Sequence, residues 1–445
     1  MKKDTIAAIS TGMTNSGIGI VRLSGNEALE IADKVYRGKE KITEVPSHTI
    51  HYGHIADGEE TVDEVLMMVM HGPRTFTGED TVEINCHGGT YVVSRVLETV
   101  LKYGARAAEP GEFTKRAFLN GKMDLSQAEA VIDLINSENE YALQSSVSQL
   151  KGSVKSAINE LRSKILYHTA FIETALDDPE HISVDGYGEI LKGVSEEIIE
   201  KLQKLIDSAD DGRIMKEGIQ TVIVGKPNAG KSSLLNLLAG HERAIVTDIA
   251  GTTRDVVEGS IRLNDIVLNM IDTAGIRETE DKIEHMGVKK SLSLIDQADL
   301  VLVVLDGSRP LEAEDKELLE RTEGLNRIVL INKSDKGCVI DTEGIHISAK
   351  ENHIDELIQH IKDEFDFSAI TNSQAQVLAN QRQVQLLEKA SQSLNVAIQA
   401  MEDGIPTDLI VTDLYDSWEN LKEILGEQAK EDLLDELFKR FCIGK

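Results

Sequence analysis

The chain has 445 residues, and 41% of them are hydrophobic, which suffices for packed cores. A chain of this length is expected to form about three domains. Its net charge of −30 argues against a protein that coats nucleic acid indiscriminately, although a local basic patch stays compatible with it. No apolar run approaches the roughly 20 residues of a membrane span, and Asp4 with the polar residues at 10–16 interrupts any secretory segment. Cys86, Cys338 and Cys442 form no C-x-x-C pair, so neither disulfides nor a zinc site are indicated and a reduced, cytoplasmic protein is expected.

The first 120 or so residues mix strand and helix patterns. Apolar runs at 18–23 and 65–70 predict buried strands, and alternating polar and apolar residues at 81–85 predict a half-buried strand. A helix is expected to open at the glycine pair 88–89 and to continue to about Leu101. We therefore predict an α+β domain over residues 1–120.

The second pattern is helical. Apolar residues recur at steps of three and four between about 126 and 165, which predicts helix. Helical character resumes near 188 and is expected to end at a turn-rich seam at 207–212. It returns from about 375 to 440, after a second seam at 368–373. These patterns predict an all-α domain in two parts, 121–215 and 371–445.

Between the helical parts, short apolar strands alternate with helices. The predicted strands are 221–224, 266–271, 300–305, 328–331 and 345–347. This rhythm is typical of a mostly parallel sheet with helices on both faces. The predicted fold class is thus multidomain, with an α/β P-loop (Ras-like) domain at 216–370 inserted into the helical domain.

A phosphate-binding loop follows the first of these strands. Residues 225–232 fit G-x-x-x-x-G-K-[ST] and lie between a strand pattern and a helix pattern. Glycines let the backbone approach phosphates, and the N–H groups of the loop and of the next helix point at the anion. Lys231 is expected to reach the outer phosphates and Ser232 to ligate Mg²⁺.

Three further motifs complete the GTP pattern, and the N-K-x-D motif among them specifies guanine. Residues 272–275 fit D-x-x-G, in which Asp272 holds the Mg²⁺ shell through water and Gly275 can sense the γ-phosphate. Residues 332–335 fit N-K-x-D, where Asp335 accepts hydrogen bonds from guanine N1–H and its exocyclic amine, and residues 348–350 complete the base pocket. Adenine presents neither donor and would leave that carboxylate unmatched, so GTP is expected rather than ATP.

A switch-type loop lies between the first two motifs. Residues 247–255 carry the Thr252–Thr253 pair, which could close over Mg²⁺ and the γ-phosphate. An ordinary hairpin connection is the alternative. The GTP-contacting set predicted from all these motifs is Asn228, Ala229, Gly230, Lys231, Ser232, Ser233, Thr247, Asp248, Ile249, Ala250, Gly251, Thr252, Thr253, Asp272, Thr273, Ala274, Gly275, Asn332, Lys333, Asp335, Ser348, Ala349 and Lys350.

Asn228, the switch residues 251–255 and the box at 332–335 resemble the TrmE–Era–Der superclass of GTPases. Ras-type proteins place glutamine directly after D-x-x-G, whereas this chain has Ile276. The resemblance implies that a K⁺ ion supplies positive charge between the phosphates, where an arginine finger would otherwise act. The implied K⁺ ligands are Asn228, Thr247, Ile249 and Thr252, and the implied Mg²⁺ ligands are Ser232 and Thr253.

The remaining motifs resemble one family across essentially the whole chain. They are 17–25, 75–80, 83–89, 110–118, 122–130 and 442–445. They are similar to the MnmE (TrmE) family of tRNA-modification GTPases. The family resemblance implies a homodimer that acts with a flavin-dependent MnmG (GidA) partner in a heterotetramer. It also implies that a carboxymethylaminomethyl or aminomethyl group is installed at position 5 of the wobble uridine of certain tRNAs.

The family also implies a one-carbon donor, a 5-formyl- or methylene-tetrahydrofolate, bound by the N-terminal domain. Matched motif by motif, the folate contacts are Arg22, Glu83, Lys122 and Lys445. A carboxylate such as Glu83 suits the N–H edge of a pterin, and basic side chains suit the glutamate tail. On the residues alone, the surface-charge interpretation of Arg22 and Lys122 is the favoured one.

Two further residues are candidates for catalysis. The family implies that Glu284 orients the hydrolytic water; without the family it would be one of many exposed helix glutamates. Cys442 is either a nucleophile that adds to uridine C6 or a small residue that fits the folate pocket. Its neighbours in sequence include no histidine that could activate it.

The main alternative function is a ribosome-assembly GTPase switch of the Era or Der type. Era-type chains carry an RNA-binding domain after the GTPase domain, and Der-type chains carry two phosphate loops, whereas this chain has one such loop and an acidic helical tail. The motifs do not assign a tRNA-binding surface. Possible contacts that could also be ordinary surface charges are Lys115, Arg116, Lys122, Lys439 and Arg440.

Overall fold

A computed structural model of the chain describes residues 4–137, 139–184, 186–241, 259–263, 266–271, 294–365 and 380–444. The chain divides into two compact units. The first unit comprises Met1–Ile135, Gln149–Ser195 and Lys389–Lys445; the second comprises Asn136–Ser148 and Glu196–Glu388. No helix in the described part of the chain is long and apolar enough to cross a membrane.

Strands and helices succeed one another along the described chain. The strands are β1 (Ile6–Ile9), β2 (Gly19–Ser24), β3 (Tyr36–Gly38), β4 (Thr49–Asp57), β5 (Glu60–Met70), β6 (Thr81–Cys86), β7 (Arg106–Ala107), β8 (Ile219–Val224), β9 (Ser260–Leu263), β10 (Ile266–Met270), β11 (Leu300–Asp306), β12 (Arg327–Asn332) and β13 (Ile345–His346). The helices are α1 (Ala28–Val35), α2 (Thr90–Lys102), α3 (Glu112–Leu119), α4 (Leu125–Ile135), α5 (Glu140–Leu150), α6 (Ser153–Asp177), α7 (Tyr187–Glu217), α8 (Lys231–His241), α9 (Ala313–Arg321), α10 (Asp355–Glu364), α11 (Gln381–Glu402), α12 (Thr407–Ile424) and α13 (Glu431–Phe438).

The described strands of the first unit form a sheet in the order β3-β4-β5-β6-β2-β1-β7. Its neighbours pair antiparallel except β1 with β7. Side chains alternate along each strand, so one face packs into the core with helices α1 and α2. The other face exposes Ile50 (60%), Tyr52 (62%) and Leu66 (47%).

The described strands of the second unit form a sheet in the order β13-β12-β11-β8-β10-β9. It is parallel except for the β9–β10 pair. Buried residues pack on both faces, with helices α8 and α10 on one face and α9 on the other. This confirms the predicted α/β fold, and parallel order brings the carboxyl ends of β8, β11 and β12 to one edge of the sheet.

The helical prediction at 126–165 is confirmed, with the run divided among α4, α5 and α6. Gly152, which has a left-handed φ of 93°, separates α5 from α6. The expected seam at 207–212 is wrong, since α7 continues to Glu217. Met215 on the last turn of α7 is buried in the core of the second unit, and this packing outweighs the weak helix propensity of the aspartates and Gly212.

Helices from the two sequence-distant helical parts do pack together within the first unit. The Tyr415 hydroxyl on α12 donates to Glu173 on α6 at 3.0 Å, and the Arg162 guanidinium lies 5.1 Å from the ring centre of Trp418. Arg162 also forms a bidentate pair with Glu427. The seam at 368–373 lies outside the described residues.

Candidate functional site

The phosphate loop connects the end of β8 to the start of α8, as predicted. Gly230 has a φ of 106°, and a Cβ atom there would lie 2.0 Å from the Asn332 amide nitrogen. No side chain fits in that space. The loop therefore requires glycine at this position both for its backbone conformation and for close packing.

The structure describes the surroundings of Lys231, Ser232 and Asn228 at the phosphate loop. The Lys231 ammonium donates to the carbonyl oxygens of Gly225 and Lys226, both at 2.8 Å, so it lies within the curl of the loop. Ser232 follows in the first turn of α8, where backbone N–H groups favour an anion.

Asn228 lies at the turn of the phosphate loop, where it is exposed and has a φ of 63°. Ala229 is buried beside it, and Ser233 is exposed on α8.

Asn332 joins the phosphate loop to the predicted base pocket. Its amide nitrogen donates to the Ala229 carbonyl at 2.8 Å, and its amide oxygen accepts the Ala349 N–H at 3.1 Å. Asn332 is only 3% exposed, and these two hydrogen bonds satisfy both polar atoms of its buried side chain. One side chain therefore fixes the spacing between the loop that would hold phosphates and the loop that would hold a base.

Asp335 and Ser348 are also brought together. The Ser348 hydroxyl donates to Asp335 Oδ1 at 3.0 Å, while the Asp335 side chain stays exposed at the rim. Lys350, which follows Ser348 and Ala349 in the sequence, is exposed. Lys333 makes a contact that sequence reasoning missed: its ammonium donates to Asp306 Oδ2 at 2.7 Å. The only sequence signal for Asp306 is its place directly after a predicted strand.

The rest of the predicted GTP site lies outside the described residues. This applies to the switch (Thr247, Asp248, Ile249, Ala250, Gly251, Thr252 and Thr253), to Asp272, Thr273, Ala274 and Gly275, and to Glu284. Of the implied metal ligands, the structure describes only Ser232 for Mg²⁺ and Asn228 for K⁺. The residues that are described fit a nucleoside triphosphate, since a helix N-terminus, a lysine inside the phosphate loop and the exposed Asp335 carboxylate lie at one sheet edge.

A second polar cluster lies in the first unit. Arg22 on β2 stands opposite Glu83 on β6, and its Nε donates to Glu83 Oε1 at 2.7 Å. Arg22 Nη1 donates to the Gly444 carbonyl at 3.0 Å, and the Ser10 hydroxyl donates to the same oxygen at 3.2 Å. The C-terminal tail therefore contacts Arg22 and Ser10 through Gly444. The family resemblance groups Lys445 of this tail with Arg22, but no local pattern in the sequence predicts the Gly444 contacts.

The tail is tightly seated at Gly444. With a φ of 95°, a Cβ atom at this residue would lie 2.3 Å from the Ile9 carbonyl oxygen. Cys442 is exposed, and its carbonyl accepts the Gly111 N–H at 3.3 Å. Lys445 lies outside the described residues. The structure thus brings Cys442 and the Arg22–Glu83 pair onto one part of the first unit.

Lys122 lies on a neighbouring loop. Its ammonium donates to the Pro73 carbonyl at 2.9 Å, and within the described part of the chain it forms no hydrogen bond with Arg22 or Glu83. The loop that carries Pro73, at 71–80, is tied to β2 through Ser24, whose hydroxyl lies 2.7 Å from that of Thr77. The predicted grouping of Arg22 with Glu83 is therefore visible in direct contacts, and that of Lys122 is not.

Arg116 is not a surface residue. Its guanidinium is 9% exposed and pairs with Asp4, Glu79 and Glu112. Burial opposes the charge of Asp4, but hydrogen bonds from Arg106 and Arg116 outweigh it and hold the pKa of Asp4 below its ordinary value. Burial likewise opposes the charge of Glu112, and Arg106 and Arg116 lower its pKa.

The other possible tRNA contacts differ in their surroundings. Lys115 pairs with Asp435 across α3 and α13. Lys122, Lys439 and Arg440 are exposed, so these three stay available as contacts to a polyanion.

Comparison with known proteins covers nearly the whole chain. A family model described as the MnmE helical domain matches residues 125–442, and one described as the N-terminus of the GTP-binding protein TrmE matches residues 5–122. The tRNA modification GTPase MnmE of Lachnoclostridium phytofermentans is 50% identical over 458 residues, covering 100% of both chains. The protein of that name from Staphylococcus aureus strain Mu3 is 48% identical over 459 residues, again covering 100% of both.

Among solved structures, an Era variant of Aquifex aeolicus bound to GDP·AlF4⁻ is 32% identical with a TM-score of 0.25, covering 33% of this chain and 56% of that chain. The full-length relatives and the two family models carry the assignment.

Proposed function

The chain belongs to the MnmE family of tRNA modification GTPases, and from this premise we propose the details of its reaction. As a family member it is a GTP hydrolase that takes part in tRNA modification. We propose that it acts with a flavin-dependent MnmG (GidA) partner in the cytoplasm. Together they would install a carboxymethylaminomethyl or aminomethyl group at position 5 of the wobble uridine, with a tetrahydrofolate one-carbon donor.

The Asn332 bridge is the observation that best supports the GTP site. It holds the Lys231 loop and the Ala349 loop at a fixed spacing, as one nucleotide binding to both would require. Asp335 would accept the guanine N1–H and amine, and Lys231 would contact the β- and γ-phosphates. Mg²⁺ held by Ser232 and Thr253 would neutralise charge on those phosphates. Glu284 would orient the attacking water.

We propose that K⁺ activates hydrolysis, with Asn228 as a side-chain ligand and Thr247, Ile249 and Thr252 as carbonyl ligands. Asn228 is exposed on the phosphate loop and is therefore accessible to a hydrated ion. The test is GTP turnover in K⁺ against Na⁺ at equal ionic strength, for the wild type and Asn228→Ala. Turnover should be faster in K⁺ for the wild type, and the variant should lose that difference while still binding GDP. Equal wild-type rates in both salts would overturn the assignment.

The folate site is supported by the Arg22–Glu83 pair. The pair is largely enclosed, with side chains 16% and 15% exposed, and the Arg22 guanidinium lies 5.7 Å from the ring centre of Phe113. An enclosed carboxylate and guanidinium next to an aromatic ring suit a flat heterocycle with N–H donors and acceptors. When bound, the folate would supply the one-carbon unit. Glu83 and Arg22 would orient it, and Lys122 and Lys445 would contact its anionic tail.

Glu83→Gln tests this site. The variant keeps the side-chain shape but removes the charge, so we expect binding of 5-formyl-tetrahydrofolate, measured by calorimetry, to weaken at least tenfold, since charge-assisted hydrogen bonds are worth about 1.5–3 kcal/mol. Glu98→Gln breaks an exposed pair with Arg95 on α2 and is the matched control, expected to bind folate normally. Wild-type affinity in Glu83→Gln would contradict the proposal.

Cys442→Ser separates the two roles of that cysteine. Serine has nearly the same size but is a far weaker nucleophile at neutral pH. If Cys442 adds to uridine C6, the modified nucleoside should vanish from the tRNA of cells carrying the variant, as measured by mass spectrometry. If Cys442 only fits the folate pocket, the modified nucleoside should persist.

We also propose a homodimer formed through the first unit. The exposed apolar face of its sheet, with Ile50, Tyr52 and Leu66, is the feature that supports it, because large exposed apolar side chains grouped on one sheet face favour protein contact. The Era or Der alternative is not favoured. Curated relatives match the chain over its full length, including the first unit.

A further inference from the structure

Asp306 ends strand β11 directly beside the predicted base pocket. Strands β11 and β12 run parallel, with Asp306 in register with Asn332. The Gly307 N–H donates to the Asn332 carbonyl at 2.9 Å, which locks the two strand ends together. Lys333 follows Asn332, so the topology itself brings the Lys333 side chain next to the Asp306 carboxylate.

The Asp306 carboxylate is oriented by its own turn. Its Oδ1 accepts the Ser308 N–H at 3.1 Å and the Ser308 hydroxyl at 2.6 Å, which directs Oδ2 to the Lys333 ammonium at 2.7 Å. The side chains of Asp306 and Lys333 are 11% and 26% exposed. Burial opposes the charge of Asp306, but the hydrogen bonds from Lys333 and Ser308 outweigh it and lower the pKa of its carboxyl.

The backbone of Lys333 also holds this residue in a fixed position. It is left-handed, with φ 66° and ψ 33°, a conformation that costs a non-glycine residue energy and persists where the surroundings fix it. The neighbouring Ser334 N–H donates to the Ile347 carbonyl at 3.2 Å. Lys333 is therefore held at both ends, by the backbone at its Cα and by Asp306 at its ammonium.

We propose that Asp306 is a positioning residue for guanine-nucleotide binding. It anchors the Lys333 ammonium so that the aliphatic stem of Lys333 lies against the nucleobase whose edge Asp335 contacts. This inference rests on the proposed base pocket at 332–335. Because the lysine stem is already ordered before the nucleotide binds, binding loses less side-chain conformational entropy.

A longer ion-pair chain continues from Asp306, but its outer part contributes less. Arg309 Nε lies 3.8 Å from Asp306, and Arg309 also pairs with Glu312, which pairs in turn with Lys226 of the phosphate loop. The Glu312 side chain is 57% exposed, and exposed pairs are weakly stabilising. The enclosed Asp306–Lys333 contact is thus the one expected to affect affinity.

Asp306→Asn is the primary test. The amide cannot hold the ammonium as a carboxylate does, so the affinity for GDP, measured by calorimetry on the full chain, should fall about tenfold. In GTP turnover the KM should rise while kcat at saturation stays near the wild-type value. Unchanged GDP affinity would overturn the proposal.

Asp299→Asn is the matched control. Asp299 precedes the same strand at its other end and forms a bidentate pair with Arg213, with 13% of its side chain exposed. Its loss should lower the thermal unfolding temperature without changing GDP affinity. Equal losses of affinity in both variants would mean that Asp306 acts through general stability, which would sink the inference.

Lys333→Met completes a double-mutant cycle. Methionine keeps an apolar stem but removes the ammonium, so Asp306→Asn should cost no further affinity in that background. Additive losses would contradict action through Lys333. If Asp306→Asn does not fold, Lys333→Met alone decides, with the same tenfold loss expected and wild-type affinity overturning the proposal.

Asp335→Asn tests the pocket separately. An asparagine there could accept from N1–H and donate to the 2-oxo group of xanthine, so the variant should bind xanthosine diphosphate in place of GDP. If it keeps wild-type GDP affinity, the base-pocket assignment fails. If it switches base and Asp306→Asn has no effect, the pocket stands and only the Asp306 inference fails.

Discussion

At the scale of single residues, two glycines determine whether the two sites can form. Gly230 faces the Asn332 amide and Gly444 faces the Ile9 carbonyl, each at a distance that excludes a methyl group. Both also have positive φ angles, so a side chain would add strain to the clash. Neither glycine has a side chain that could contact a ligand. Each is instead required for the packing of a neighbouring residue in a candidate site, Asn332 for Gly230 and Arg22 for Gly444.

Gly230→Ala should abolish tight GDP binding. The new methyl group would lie 2.0 Å from the Asn332 nitrogen and would break the bridge between Ala229 and Ala349. We expect at least a hundredfold loss of GDP affinity by calorimetry, the combined effect of the clash and a lost buried hydrogen bond. Gly240→Ala, in helix α8 with open space around it, should bind normally. Similar affinities for both variants would refute the packing argument.

Gly444→Ala should displace the C-terminal tail. Because the methyl group would meet the Ile9 carbonyl at 2.3 Å, the contact between Arg22 and the Gly444 carbonyl should be lost and folate binding should weaken. Gly404→Ala is a control for backbone strain, since Gly404 also has a positive φ, 72°, but has nothing within 4 Å of its Cβ position. Calorimetry with 5-formyl-tetrahydrofolate measures both, and a normal Gly444→Ala affinity would contradict this placement of the tail.

At the scale of elements, helix α3 is held to the first sheet by charge. Arg116 on α3 reaches Asp4 beside β1 and Glu79 in the loop before β6, while Arg106 on β7 pairs with Glu112 on α3 and with Asp4. The cluster matters because the turn that begins α3 also contacts the C-terminal tail through the Gly111 N–H. The stability of this cluster therefore bears on the Arg22 site.

The same cluster predicts loss of stability in acid. Asp4 and Glu112 have folded pKa values below their ordinary values of 3.8 and 4.5. Their contribution is thus fully present above pH 4.5 and is lost as the pH falls through the lower folded values. Urea midpoints measured from pH 7 to pH 3 should fall, and Asp4→Asn should show a smaller fall over the same range. An identical pH dependence in both proteins would count against the cluster.

Most elements were predictable because their signals are local. The strand at 300–305 and the phosphate loop follow from runs of adjacent residues, and both lie where predicted. The end of α7 could not be predicted from the sequence. The turn signals at 210–212 compete with the burial of Met215, and that burial depends on residues distant in sequence. The Asp306–Lys333 and Arg22–Gly444 contacts have no local pattern at all. They arise from strand order and from the path of the tail.

At the scale of the whole molecule, the chain forms two compact units, each with its own sheet and its own candidate site. The nucleotide residues that are described belong to the second unit, and Arg22, Glu83 and Gly444 belong to the first. This division fits the proposal that GTP is hydrolysed at one site and the one-carbon donor is bound at the other.

The dimer proposal is testable at this scale. Leu66→Asp places a charge on the open face of the first sheet, where Leu66 is 47% exposed, and should convert the dimer to monomers in light-scattering measurements. Leu166→Asp on α6, where the leucine is 44% exposed, is the matched control and should leave the dimer intact. A dimeric Leu66→Asp protein would show that another surface forms the contact.

The seating of Gly444 against Arg22 also sets an order of events during synthesis. The two residues are 422 positions apart, and at about 5–20 residues per second a ribosome needs roughly 20 to 80 s to cover that distance. The first sheet can fold on the nascent chain long before its last contact exists. Until the segment with Gly444 emerges, Arg22 and Glu83 lack their contacts with it, so the proposed folate site is completed long after its strands are made.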